Sequence, residues 1–218
     1  MQKKVYVWEL PVRATHWINA LCIVALAFTG FYIGRPFIHA VSTNQYIMGW
    51  IRLIHFIAAY LLVVSCLVRV YWAFAGNRYA GWEVFNPFDM KKLKDLVELS
   101  KFYLLLRKEP PSHVTGHSAC ATYVYLSLFV LYIIEAATGF ALYSQSHLPG
   151  FLWTLMGGWL LLFVDAQSIR LYHHFFMWLF ITFAIVHVYL SLFMESKEDN
   201  GILMSIFSGN KTVDEKYE

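Results

Sequence analysis

Four of the nine histidines lie within or at the ends of long apolar stretches of the chain. An ionisable side chain inside a membrane is costly and usually marks a functional site. A lone histidine in such a place is more often a packed, hydrogen-bonded residue than a ligand. Four of them raise the prospect that imidazoles bind a metal or a metal-containing group. The four are His16, His55, His173 and His187.

The spacing of these histidines arranges them in two pairs. His173 and His187 are 14 residues apart in one apolar stretch, which places them within roughly 40° of the same helix face and about 21 Å apart along its axis. His16 begins the first apolar stretch and His55 begins the second, from opposite sides of a membrane. Depth therefore pairs His16 with His187 and His55 with His173. Two bis-histidine haem sites, stacked across a bilayer, fit this arrangement.

Three of these histidines follow an arginine by three residues, so that the two side chains share a helix face. In each case the arginine lies on the water side of the histidine. Arginine binds carboxylates with two parallel hydrogen bonds, and haem carries two propionates. An interfacial arginine that reaches lipid headgroups is the alternative, and it explains one such pair more easily than three. The pairs are Arg13 with His16, Arg52 with His55 and Arg170 with His173.

Other polar or small residues occur inside the apolar stretches. Arg69 lies 14 residues after His55, so we expect it to face the inner haem or its propionates, unless it is an ordinary cation at a cytoplasmic helix end. Thr29-Gly30-Phe31 recurs as Thr138-Gly139-Phe140, and the glycines leave room for a haem or for close helix packing. Glu135 is a candidate proton-handling group or a partner for an outer arginine.

The elements that must position these residues are membrane helices. The chain is 59% hydrophobic and 14% charged, whereas a soluble domain carries roughly 25% charge. A crossing helix needs about 20 apolar residues. We therefore predict an all-α integral membrane protein, a four-helix transmembrane bundle with haems between the helices, forming a single domain over residues 1–218. The predicted spans are residues 14–34, 50–75, 119–143 and 171–194, followed by a cytoplasmic tail at 195–218.

A fifth apolar stretch, Phe151 to Val164, has 14 residues and better suits an interfacial or re-entrant segment. If it crossed the membrane, the last helix would reverse and the histidine pairs would be exchanged. Lysine and arginine are concentrated in the N-terminal arm, the 75–118 connection and the tail, which predicts that both termini are cytoplasmic. Met90 to Arg107 has the spacing of an amphipathic helix on the inner surface.

Several function classes lack support. The net charge of +3 is too small to indicate nucleic-acid binding. The three cysteines form no C-x-x-C pair, so zinc ribbons and covalently attached haem are not indicated. A metal transporter or a purely structural membrane anchor would use the same histidines differently or not at all. Transport sites usually cluster carboxylates and histidines at one depth, whereas these histidines are split between two depths and accompanied by arginine.

The chain resembles the cytochrome b subunit of membrane-bound nickel–iron hydrogenases, a di-haem membrane anchor related to the formate dehydrogenase gamma subunit. The resemblance covers nearly the whole chain, and its Gly76–Tyr79 and Gly139–Tyr143 stretches favour the hydrogenase branch. An anchor of formate dehydrogenase or of another periplasmic oxidoreductase is the alternative. The stretches that carry the resemblance are Pro11–Trp17, Arg52–Phe56, Tyr71–Tyr79, Thr138–Tyr143 and His187–Tyr189.

This resemblance implies two haems b, an outer one on His55 and His173 and an inner one on His16 and His187. It implies an electron-transfer subunit in the bacterial cytoplasmic membrane, with the hydrogenase iron–sulfur small subunit and the large subunit on the periplasmic side. Electrons would pass to menaquinone or ubiquinone near the cytoplasmic face, and this chain alone would catalyse nothing beyond quinone reduction. Ser118 stands where the family usually has Asn. The residues implied for the quinone are His113, His117, Ser118, Tyr123 and Tyr189.

Overall fold

The structure, a computed structural model, describes residues 2–42, 44–82, 86, 88–104, 119–146, 148–198 and 201–214. Four long apolar helices dominate it, and each has the length and composition to cross a membrane. This confirms the predicted four-helix membrane fold. The long helices are α1 (Leu10–Gly34), α2 (Ile47–Ala75), α4 (Ala119–Ser144) and α6 (Ala166–Glu198), and α3 (Met90–Tyr103) joins them as a shorter helix.

Large apolar side chains on the long helices remain exposed to the surroundings of the protein. Phe28, Leu67, Ile133 and Ile185 keep between 55% and 73% of their surface uncovered. Soluble proteins rarely leave such continuous apolar surface open to water. Lipid is the solvent that these faces fit.

Helices α1, α2 and α6 begin earlier than the spans predicted from hydropathy, whereas α4 begins at Ala119 as predicted. Helix α6 begins at Ala166 and not near Leu171. Asp165 caps it: its Oδ1 accepts hydrogen bonds from the backbone N–H groups of Gln167 and Ser168 at 3.0 Å each, and its Oδ2 accepts one from the Ser168 hydroxyl at 2.6 Å. These hydrogen bonds, that of the Ser168 hydroxyl first, hold the pKa of the Asp165 carboxyl below its usual value.

The predicted amphipathic helix is present as α3. Its buried side chains are Leu99 and Phe102, while Leu93 and Val97 are exposed. The ring of Phe102 lies 5.8 Å from that of Phe193 on α6. The helix therefore packs on the protein through a face about 150° around its axis from Leu93 and Val97, so the apolar spacing indicated nearly the opposite face. Residues 105–107 of the predicted helix lie outside the described residues.

The fifth apolar stretch forms one π-helical turn, Trp153–Gly157, followed by the short helix α5 (Gly158–Phe163). Its length is too small for a membrane crossing. Strand β1 (Gln2–Tyr6) pairs antiparallel with strand β2 (Asn210–Asp214), after the short helix α7 (Ile202–Ser208). Both ends of the chain therefore lie on one side of the membrane, which requires an even number of crossings. The alternative with five crossings and exchanged histidine pairs is inconsistent with this pairing.

The chain divides into two compact units, which we call the terminal unit and the middle unit. His16 and His187 belong to the terminal unit, and His55 and His173 belong to the middle unit. Within the middle unit, α1 packs on α2 through a small core of Cys22, Ala58 and Leu62. The terminal unit comprises Met1–Trp17, Cys66–Phe129 and His187–Glu218, and the middle unit comprises Ile18–Ser65 and Val130–Val186.

One carboxylate that precedes α1 joins the start of the chain to the turn after α2. Oε2 of Glu9 accepts hydrogen bonds from the Trp72 indole at 2.9 Å and from the Asn77 backbone N–H at 2.8 Å. The Asn77 side chain donates to the carbonyl of Val7 at 3.1 Å and accepts from the backbone of Ala80. The arm before α1 is thereby fixed to the turn that ends α2, close in sequence to His16.

We predict that Glu9→Ala destabilises the protein by about 2 kcal/mol, because it leaves the half-buried indole and amide donors without their acceptor. In a chain of this length the apparent melting temperature in detergent should fall by roughly 4–8 °C. The control is Glu98→Ala, which removes an exposed ion pair with Lys101 and should cost less than about 1 kcal/mol. Equal melting temperatures for the two variants would contradict this role of Glu9.

Candidate haem sites

The middle unit brings His55 of α2 and His173 of α6 together. Their ring centres are 6.5 Å apart and their planes are inclined by 65°. When two imidazole nitrogens bind one metal ion from opposite sides, each lies about 2 Å from the metal, so the two nitrogens are about 4 Å apart. The ring centres are then roughly 6 Å apart. The observed separation suits a bis-histidine site.

The terminal unit brings His16 of α1 and His187 of α6 together in the same way. Their ring centres are 6.1 Å apart and their planes are inclined by 53°. The structure thus forms the two pairs that depth predicts, each within one unit. Both pairs fit two-sided ligation of an iron ion, which is how histidines hold a haem b. Their role as ligands remains a prediction.

A threonine hydroxyl determines which nitrogen of His55 is available. Oγ1 of Thr29 lies 2.6 Å from the carbonyl oxygen of Ala25 and 2.8 Å from Nδ1 of His55. The carbonyl accepts, so the hydroxyl donates its single proton there and its oxygen accepts from the imidazole. With the hydroxyl proton on this carbonyl, the proton of a neutral His55 is on Nδ1. Nε2 keeps its lone pair, as a metal ligand requires.

The same arrangement recurs at His173. Oγ1 of Thr138 lies 2.8 Å from the carbonyl oxygen of Ile134 and 3.0 Å from Nδ1 of His173. Oε2 of Glu135 is also 3.2 Å from this Nδ1, but it makes no hydrogen bond within the described part of the chain. The threonine oxygen is thus the acceptor for the imidazole proton, with the carboxylate close beside it. In this tautomer both histidines of the middle unit have Nε2 available to bind a metal.

The glycines that follow these threonines lie against the same imidazoles. A Cβ atom on Gly139 would approach Cε1 of His173 to 3.1 Å, and one on Gly30 would meet Cε1 of His55 at 3.7 Å. Gly139 in particular leaves room that the ring needs. The repeated Thr-Gly-Phe stretch was the sequence signal for both contacts, but sequence reasoning weighed the glycines and gave the threonines no role.

Arg52 and Arg170 line one open pocket of about 400 Å³ in the middle unit. Phe56 and Tyr143 contribute aromatic rings to its wall. Each arginine is one helical turn from a histidine of the pair. Two guanidinium groups around one pocket suit a ligand that carries carboxylates, and haem propionates are such groups.

Arg13 is bound to the C-terminal segment of the terminal unit. Its guanidinium donates to the backbone carbonyl of Phe207, whose ring packs on Trp17 with 4.7 Å between centres. Its Nε is buried and makes no hydrogen bond to any residue that the structure describes. A polar ligand beside His16 would satisfy this donor, so the residue retains hydrogen-bonding capacity suited to a propionate.

Arg69 is buried, with 8% of its surface exposed. Both terminal nitrogens of its guanidinium lie 3.4 Å from the carbonyl oxygen of Ala80, and the group lies 5.5 Å from the centre of the Tyr125 ring. It belongs to the terminal unit, as do His16 and His187. Part of its role is thus to close the turn after α2, and its orientation toward a haem remains a prediction.

The residues implied for quinone binding are described only in part. Tyr123 is half-buried on α4, and Tyr189 is exposed on α6 with its ring stacked on Phe193 at 6.2 Å. His113, His117 and Ser118 lie outside the described residues. Among the residues that are described, no three histidine, cysteine or acidic side chains come together as a metal-ion cluster.

The family model described as "Prokaryotic cytochrome b561" matches residues 7–209. A relative from Rhizobium leguminosarum bv. viciae is 34% identical over 100% of this chain and 92% of its own length. One from Azotobacter chroococcum mcd 1 is 38% identical over 87% of this chain and 81% of its own length. Both are named "Probable Ni/Fe-hydrogenase B-type cytochrome subunit".

A further relative, from Escherichia coli K12, is named "Probable Ni/Fe-hydrogenase 1 B-type cytochrome subunit". It is 34% identical over 95% of this chain and 90% of its own length. These matches confirm the resemblance that the motif stretches indicated. Together with the four membrane helices and the two histidine pairs, they agree on one assignment. The chain belongs to the prokaryotic cytochrome b561 family.

Proposed function

We propose that this chain is the di-haem electron-transfer subunit of a membrane-bound nickel–iron hydrogenase, which it anchors and connects to membrane quinone. The observation that carries the proposal is the presence of two histidine pairs, each with ring centres at the separation that one bis-ligated metal requires. The names of the relatives support the hydrogenase as the partner. A b-type cytochrome also accounts for the paired arginines better than a cation transporter does, because arginine repels cations.

Haem, when bound, supplies the one-electron redox change. The protein would bind each haem and keep water away from it. His55 and His173 would hold one haem from α2 and α6, and His16 and His187 would hold the other from α1 and α6. Arg52 and Arg170 would bind the propionates of the first. Apolar helix faces exclude water, and burial of this kind is one of the factors that set a haem potential.

The distribution of positive charge supports the proposed orientation of the protein in the membrane. Lysine and arginine are concentrated on the side that holds both chain termini, which for a bacterial membrane protein is the cytoplasmic side. On this proposal the His55–His173 site is the outer one and receives electrons from the iron–sulfur small subunit at the periplasmic face. The His16–His187 site is the inner one.

The inner site would deliver electrons to menaquinone or ubiquinone near the cytoplasmic face. Tyr123 and Tyr189, with His113, His117 and Ser118, are the residues proposed for that step. Reduction of quinone there takes up protons from the cytoplasm, while hydrogen oxidation releases protons outside. Each charge separated against 100 mV stores about 2.3 kcal/mol.

We predict that His173→Ala lowers the haem content from two per chain to one, because a bis-histidine site loses an axial ligand. His187→Ala should do the same at the other site, and the two variants should keep different haems with different spectra. The measurement is a pyridine haemochrome assay on purified protein. His39→Ala, which replaces an exposed histidine of the α1–α2 connection, should keep both haems. Unchanged haem content in both ligand variants would overturn the assignment.

The electron-transfer role is tested in a hydrogenase complex purified through a tag on this chain. We predict that His16→Ala abolishes hydrogen-dependent reduction of quinone, because the inner site is the last carrier. Hydrogen-dependent reduction of a soluble dye should persist, because the dye takes electrons before they enter the membrane. Undiminished quinone reduction would contradict the proposed route. Recovery of a different dehydrogenase with the tag would identify another partner.

A further inference from the structure

We propose that Thr29 and Thr138 are positioning residues that lower the midpoint potential of the haem held by His55 and His173. This inference rests on the proposed function, because it requires those two histidines to be axial ligands. It goes beyond that function in assigning the redox tuning of one site to two hydroxyl groups. The two threonines occupy equivalent places in the repeated Thr-Gly-Phe stretch, one on α1 and one on α4.

The two threonine hydroxyls have the same hydrogen-bond partners, a backbone carbonyl and the Nδ1 atom of a histidine. Thr29 and Thr138 are 6% and 8% exposed, so water does not compete for them. Each donates its proton to the carbonyl four residues earlier in its helix, at 2.6 Å and 2.8 Å. Each oxygen therefore accepts from the Nδ1–H of its histidine. When Nε2 binds iron, the ring proton is on Nδ1, so the hydroxyl oxygen has to accept from it and the hydroxyl proton goes to the carbonyl.

Such a bond acts on the iron through the imidazole ring. An acceptor at Nδ1–H raises the basicity of the ligating nitrogen and fixes the orientation of the ring. A more basic ligand stabilises the oxidised, more positive iron, so the midpoint potential falls. Glu135, whose Oε2 is 3.2 Å from Nδ1 of His173, acts in the same direction by its negative charge. The hydroxyls and the carboxylate thus oppose reduction of this haem.

His16 differs in this respect from His55 and His173. Nδ1 of His16 is buried and makes no hydrogen bond to the residues that the structure describes, whereas both histidines of the middle unit have a threonine acceptor. A lower potential at the His55–His173 site favours electron movement from that site to the other. This is the direction that transfer from a periplasmic hydrogenase to quinone requires.

The experiment is an optical redox titration of the purified full-length protein, with both haems resolved. Thr29→Val and Thr138→Val remove the hydroxyl and keep the shape of the side chain. At the ambient potential where the wild-type haem is half reduced, each variant should have a reduced-to-oxidised ratio higher by about threefold to tenfold. A tenfold change corresponds to 59 mV for one electron. The potential of the second haem should stay constant.

Two controls isolate the hydroxyl. Thr29→Ser and Thr138→Ser keep the acceptor and should titrate like the wild type. Thr154→Val removes a threonine that makes the same type of bond to the carbonyl four residues before it, at 3.3 Å, but lies on the exposed π-helical turn. It should leave both potentials unchanged. If a valine variant loses the haem while the serine variant retains it, the hydroxyl is again the group responsible.

The inference is overturned if the valine variants leave both potentials unchanged, if both haems shift together, or if the serine variants behave like the valine variants. Loss of the haem in both the serine and the valine variants would also overturn the inference. The serine variants keep the hydroxyl, so the loss would then have another cause. The proposed function fails by a separate observation, namely fewer than two haems in the wild-type protein. The two failures are therefore distinguishable in one set of preparations.

Discussion

The distance between two imidazole rings on different helices is the constraint on which the rest of the structure depends. A metal bound from both sides fixes that distance near 6 Å, and the two pairs lie at 6.1 Å and 6.5 Å. His187 is 171 residues from His16, and His173 is 118 residues from His55. A tight turn or a short local motif cannot bring together residues that are so far apart in the sequence. Such contacts require long helices that bring distant parts of the chain together within each unit.

Different interactions position the histidines of the two pairs. In the middle unit the imidazoles are held by hydroxyls and glycines of neighbouring helices, close to the rings themselves. In the terminal unit the supports lie at the helix ends. There Glu9 fixes the arm before α1 to the turn after α2, and Arg13 is bound to the C-terminal segment through Phe207. The pairing of β1 with β2 joins the two ends of the chain within the same unit.

The membrane explains why the supports are so few and so specific. Burial of apolar side chains drives no packing between helices in lipid, so small residues, hydrogen bonds and close fit must do so. Cys22 and Ala58 illustrate the small residues, and Thr29 and Thr138 illustrate the hydrogen bonds. Each threonine oxygen lies within hydrogen-bond distance of Nδ1 of a half-buried histidine, a polar group that is costly to bury without a partner.

The sequence predicted those features that depend on local composition or on helical periodicity. Four spans follow from hydropathy, and the pairing of His16 with His187 by depth follows from a rise of about 1.5 Å per residue. The contacts of Glu9 with Trp72 and of Thr138 with His173 could not be predicted in this way. They depend on rotations of helices about their axes, which neither length nor hydropathy determines. The pairing of β1 with β2 was missed for a related reason, since its two five-residue strands lie at opposite ends of the chain.

The central claim is that each of the two histidine pairs binds one haem b from both sides. The most direct test is the electron paramagnetic resonance spectrum of the oxidised wild-type protein, with haem per chain determined on the same sample. The account predicts two haems b per chain, both low-spin, because two imidazoles complete the coordination of each iron. A high-spin signal of full intensity would show an iron without its second histidine. That result, or a protein without haem when haem is abundant during expression, would contradict the account.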